Sequence, residues 1–445
     1  MIETVAQDTH QGVAPGAATT AGRTRGAARL GWLDALRGIA ALAVVYRHTG
    51  STLLSPVYNA TSGVIDAGTF GVLLFFLVSG YIVPASLERR GDLRAFWIGR
   101  YFRIYPLFIT VVGAGLLLVP ASLGAVSAGW FSNPVATFAG NSVLLTELLG
   151  DANGLKVSWT LSYEMVFYFL VTALFALGWH RRSAPIAVGL GALAVVAGTT
   201  MPVRLLSSGA TSMHYMVAGT VLVVLIAMSC IMSGGALPVK LGALLLGALG
   251  LLLVTLNSGL AGFYSMMILA TMFSGTVIYR AEHGQIKRWP AVLCCALVLA
   301  AGLTSGLLYD ARFYTTTWTD AAGYCGAMAG AWGVFGIGLL LRNRRFPRFL
   351  SWLGTVSYAV YLVHWPVFVC SEWTWHHLGL TAHGGWQELG HGAVYLPLVL
   401  ASAYAGHRLV ELPGQNIGRR VTTWAGRRSA AAAAAAAAGQ ARAAA

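Results

Sequence analysis

Apolar runs of membrane-spanning length recur along the whole chain, at about 33–52, 69–87, 104–124, 158–178, 184–200, 213–234, 241–257, 262–280, 291–308, 321–341, 350–369 and 392–410. A helix needs roughly 20 apolar residues to cross a bilayer, and most of these runs meet that length without a central charge. The pattern predicts an all-α fold, a polytopic transmembrane helix bundle. Because two runs are short, it predicts 10–12 spans.

Composition agrees with the pattern and narrows it. Of 445 residues, 57% are hydrophobic and 10% charged, a balance that excludes a soluble domain of this length. The net charge of +14 does not point to nucleic acid, because the basic residues sit in short clusters between apolar runs and form no basic domain. Arg89, Arg90 and Arg94, then Arg181 and Arg182, Lys240, Arg280 and Lys287, Arg342 to Arg348 and finally Arg419 to Arg428 fall in alternate connections. The intervening connections hold only Lys156, Arg204 and Arg312. Positive-inside bias therefore places the first set, and both termini, in the cytoplasm of a protein integral to the cell membrane. Residues 1–30 read as a disordered tail, 31–415 as the membrane domain, and 416–445 as a basic, Ala-rich tail. The cysteines show no CxxC spacing, and no disulfide or metal site is expected.

Against this apolar background the polar residues stand out. Arg37 and His48 lie in the first run, eleven positions apart and so nearly on one helical face. Their separation along the axis is about 16 Å at 1.5 Å per residue, which puts the arginine at the cytoplasmic entrance and the histidine toward the outer end. Arg100 and Arg103, one turn apart in a basic, aromatic stretch, suit a phosphate clamp, although a positive-inside anchor has the same composition. Glu164 lies about two turns into the fourth run, where an acid costs about 3 kcal/mol and calls for a partner, histidine being the obvious one. His364 sits near the outer end of the eleventh run, and reads either as a catalytic or acceptor-positioning group or as an interfacial histidine beside Trp365. Glu411 reads as structural. The histidines and acids of 370–391 form no recognised metal spacing and read as a solvated loop.

The stretches LDALRGIAALAVVYRH, GVLLFFLVSGYIVP, RYFRIYP, SWTLSYE, SYAVYLVHWP and VELP occur in an order that resembles the acyltransferase-3 family of integral membrane O-acyltransferases, over about 33–415. Ala35 replaces the family's usual glycine. The resemblance implies that Arg37 and His48 match the family's Arg-x10-His motif, Arg100 and Arg103 its Arg-x-x-Arg motif, and Glu164 its acidic residue. It further implies transfer of an acyl group, often acetyl, from cytoplasmic acyl-CoA to a hydroxyl of a carbohydrate, peptidoglycan or related acceptor. The residues themselves suggest a compatible mechanism: arginines at the donor entrance, and a His48/Glu164 pair deeper in acting as general base and orienter. A cytoplasmic secondary metabolite as acceptor, or a transporter or flippase for a lipid-linked sugar, remains an alternative at this point.

Overall fold

The computed structural model describes residues 18–309, 319–380 and 385–444, and these are helical, with no strand among them. Most of the expected N-terminal tail, and with it Arg312 and His383, lies outside the described residues. Twelve helices follow one another up and down: α1 Ala18–Leu53, α2 Ala67–Arg90, α3 Leu93–Leu118, α4 Trp159–Ala176, α5 Ser183–Ala197 and α6 Ala210–Ser233 come first. The second half contains α7 Ala236–Leu256, α8 Gly262–Glu282, α9 Arg288–Leu308, α10 Ala321–Leu340, α11 Arg348–His377 and α12 Trp386–Gly406. A π-helical turn, His407–Glu411, carries α12 into a further helix, Leu412–Ala444. Among the described residues ten helices are long and apolar enough to cross a membrane. The shorter α5 and the charged α1, with Asp34, Arg37 and Arg47, complete the bundle.

Two boundaries differ from the sequence reading. The third span starts at Leu93 instead of about 104, because Asp92 caps it, accepting from the backbone N–H of Arg94 and Ala95. Arg100 and Arg103 thus stand on a rigid helix. Residues 370–377 are the last turns of α11 and 386–391 the first turns of α12, so most of the expected outer loop is helix.

Helix α8 is the most enclosed, buried on nearly every face between α2, α5 and α9. Helix α1 lies between α2 and α11, showing them Trp32, Leu36, Ala40 and Val44 at helical spacing. Between helices in lipid, packing contacts replace the hydrophobic effect as the source of attraction, so close approach matters. A Cβ at Gly71 of α2 would lie 2.6 Å from the Ala40 carbonyl, and one at Gly354 of α11 would collide with the Asp34 carbonyl. These two glycines let α1 seat against both neighbours. One end of the bundle is basic. There Arg280 pairs with Glu88, and Arg342 with Glu282 at 2.7 Å, tying the ends of α2, α8 and α10 together. The opposite end is closed by the short helices between α3 and α4 and by Ser55 Oγ, which donates to Glu388 at 2.6 Å.

Candidate functional site

The stripe of α1 that bears Arg37 and His48 faces inward and opens onto two cavities, one at each end of it. The cavity toward the basic end has a volume of about 90 Å³ and takes Arg37 from α1, Arg100 and Arg103 from α3, Glu164 and Tyr168 from α4, and Tyr358 from α11. The cavity toward the opposite end is larger, about 290 Å³, and takes Arg47 and His48 from α1, Asp66 and Thr69 from the start of α2, and Lys156, Trp159 and Tyr264. Val72 and Tyr361 line both cavities and form the partition between them. Tyr361 is fixed there by a 2.6 Å hydrogen bond with Thr160 and by a bond to the Val157 carbonyl.

In the basic cavity three guanidinium groups face one carboxylate. Among the described residues none of Arg37, Arg100 and Arg103 is within ion-pair distance of an acid, so the cavity keeps an excess of positive charge. Arg100 lies over the rings of Phe96, at 5.3 Å, and Tyr168, at 5.1 Å, which orients its fork without consuming its donors. Tyr168 in turn donates to Glu164 one helical turn earlier. Tyr358 donates to the Ile104 carbonyl at 2.8 Å and holds α11 against α3. Unneutralised guanidinium groups carried on rigid helices are what binding of a phosphorylated ligand requires.

In the larger cavity the hydrogen bonds define the state of His48. His364 Nδ1 lies 3.1 Å from the Val360 carbonyl, and a carbonyl can only accept, so Nδ1 carries the proton and Nε2 is left as an acceptor. That Nε2 lies 3.2 Å from His48 Nδ1, which is also 3.0 Å from the Val44 carbonyl. His48 Nδ1 must therefore be the donor, so in the neutral ring the lone pair is on Nε2, which has no protein partner among the described residues. An imidazole so held is a base presented to the cavity. Asp66 receives Arg47 at 2.7 Å and caps α2 by accepting from Thr69 N at 2.6 Å. Lys156 lies with Nζ 4.0 Å from the centre of the Trp365 ring.

The expected arrangement is corrected in two respects. Glu164 does not orient His48; it lies in the basic cavity with Tyr168, and His364 occupies the orienting position. His364 is fully buried and lines neither cavity; its one side-chain hydrogen-bond partner among the described residues is His48. Glu411 bonds His407 at 2.9 Å and Gln415 at 3.0 Å, a structural role. Tyr168, Tyr361 and Lys156 were not singled out from sequence. Only Tyr168 had a usable signal, its i,i+4 spacing from Glu164. No group of three His, Cys, Asp or Glu among the described residues is placed to hold a metal.

Comparison with known proteins adds the chemistry. A family model described as an acyltransferase domain, acyltransferase-3, matches residues 30–408. The "Putative membrane-bound transacylase BcsY" of Komagataeibacter xylinus is 25% identical over 424 residues, covering 89% of this chain and 86% of its own. Acyltransferase MdmB of Streptomyces mycarofaciens is 31% identical over 32% of this chain and 38% of its own. Peptidoglycan O-acetyltransferase OatA of Listeria monocytogenes is 28% identical over 37% of this chain and 28% of its own. No solved structure matches the chain.

Proposed function

Because the chain belongs to the acyltransferase-3 family and is an integral membrane acyltransferase, we propose that it moves an acyl group, acetyl in the simplest case, from cytoplasmic acyl-CoA to a hydroxyl of a carbohydrate or cell-envelope glycan. Arg37, Arg100 and Arg103 hold the phosphates of the donor at the basic end. The pantetheine arm extends about 16 Å along α1, past Val72 and Tyr361, and brings the thioester to His48. The acceptor enters from the opposite cavity. His48 Nε2 takes the hydroxyl proton as the oxygen attacks the thioester carbon; the C–O bond forms, the C–S bond breaks, and the imidazolium returns its proton to the departing thiolate. His364 keeps His48 in the tautomer this requires, a neutral counterpart of the acid in a catalytic triad. Tyr168, held by Glu164, sets the position of the Arg100 guanidinium.

One observation carries the reading: a cationic cavity and a cavity with an unencumbered imidazole acceptor meet at a shared partition along one face of α1. The test is purified protein given acetyl-CoA and cell-envelope glycans, with free CoA and acylated product measured together. His48→Ala is expected to lower transfer at least about 10²-fold, the scale of general-base loss, with folding and membrane insertion retained. Arg100→Gln with Arg103→Gln is expected to weaken donor binding about tenfold or more. Ordinary turnover in the first variant, equal donor affinity in the second, or passage of a glycan without release of CoA would overturn the proposal.

A further inference from the structure

The larger cavity carries one charge that nothing described in the protein balances. Arg47 is matched by Asp66 at 2.7 Å, and Asp66 is also engaged in capping α2. Lys156 lies within ion-pair distance of no acid among the described residues, and its ammonium rests on the face of Trp365. That ring meets His48 edge-on. Nζ is 4.0 Å from the Trp365 ring centre and that centre is 5.9 Å from the centre of the His48 ring, so the ammonium and the His48 ring centre are at most about 10 Å apart. A span of at most this length admits nothing longer than one sugar ring with a hydrogen bond at each end.

Resting on the acyl-transfer reading above, we propose that the acceptor is anionic: a sugar or related polyol whose carboxylate is held by Lys156 while a hydroxyl across the ring is presented to His48 Nε2. Trp159 and Tyr264, which line the cavity, supply the apolar faces on which a sugar ring packs. Lys156 is exposed at the cavity; partial desolvation and the nearby Arg47 guanidinium hold its ammonium below the ordinary lysine value, and an incoming carboxylate acts against both. The carboxylate is also oriented at a distance from the reacting oxygen, so it confers specificity and takes no part in the chemistry.

The test uses a matched pair of acceptors, methyl glucuronoside and methyl glucoside, which differ in a carboxylate at one carbon. Wild-type protein with acetyl-CoA is expected to favour the glucuronoside in kcat/KM about tenfold, the effect of one charge-assisted bond. The preference is expected to shrink as salt is raised. Lys156→Gln is expected to bring the ratio near one, Lys156→Arg to retain it, and Lys156→Glu to reverse it. Equal use of both glycosides by wild type, or a Lys156→Gln variant that slows both by the same factor, overturns the proposal and leaves acyl transfer standing. Binding of the two glycosides without donor, followed by NMR saturation transfer, separates the readings. A Lys156-dependent preference in binding with no transfer to any acceptor would instead remove the acyl-transfer reading.

Discussion

His48 and His364 stand 316 positions apart in the chain, yet the state of one is fixed by the other through a 3.2 Å contact. Each was legible in the sequence as a polar residue near the outer end of an apolar run; their contact was not, since it depends on how α1 and α11 cross. The partner of Glu164, Tyr168, was not legible for a different reason. Helix α4 is apolar nearly all round, so its sequence does not reveal which face meets which neighbour, and depth alone suggested a histidine partner. Val72, with Tyr361, is buried and lines both cavities. Val72→Phe is expected to place a ring at the partition and cut transfer at least about 10²-fold, since blocking the thioester removes the near-attack geometry. CoA affinity is expected to stay within about threefold, because the arginines lie on the far side, while the larger side chain costs about 1–3 kcal/mol of stability. Calorimetric binding and product formation on the same preparation check it; parallel losses in both would place the donor elsewhere.

At the scale of elements, the spans were legible because length and apolarity in a bilayer leave helix as the one economical choice. The runs predicted at 262–280 and 321–341 correspond to α8 at Gly262–Glu282 and α10 at Ala321–Leu340. Misplaced ends arose where polar residues continued a helix beyond the apolar part, as in the first turns of α3 and the last of α11. Partner choice was not legible, being set by small residues whose significance depends on what faces them. Gly354 is the clearest case. It lies where α11 crosses α1, and a Cβ there meets the Asp34 backbone, which has little room to yield. Gly354→Ala is expected to force the helices apart, lowering stability by about 1–3 kcal/mol. It is also expected to lengthen the His48–His364 contact, which the same crossing maintains, and so to lower kcat more than it raises KM. Thermal denaturation in detergent with steady-state kinetics reads both, and unchanged kinetics in a destabilised protein would separate the crossing from catalysis.

Over the whole molecule, the two cavities require two differently built ends. The basic end is held by ion pairs between helix ends. The other end is built by the segment between α3 and α4, which delivers Lys156 and Val157 to the larger cavity and is anchored by buried polar groups. Asn141 binds the Thr137 and Ala152 carbonyls at 2.7 and 3.0 Å, Asn257 the Leu148 carbonyl at 2.7 Å, and Glu147, 7% exposed, accepts from Asn153 at 3.1 Å. Burial raises the Glu147 carboxyl above the ordinary glutamate value, outweighing Asn153 and the Arg204 guanidinium at 4.0 Å. For an acid raised in the folded state the sign is fixed: between the unfolded value near about 4.3 and the folded one, the native protein holds a proton that the unfolded chain has lost. Its contribution to stability is therefore fully present below about pH 4.3 and is lost as pH rises through the folded value. Glu147→Gln mimics the protonated group. It is expected to raise the thermal midpoint at neutral pH and to remove part of the decline with rising pH, the remainder including Asp151, which burial raises in the same direction. Midpoints measured in detergent across pH 4–8 for both proteins provide the check; identical pH slopes would mean that the Glu147 proton is not coupled to folding and that the segment is held by its amide bonds alone.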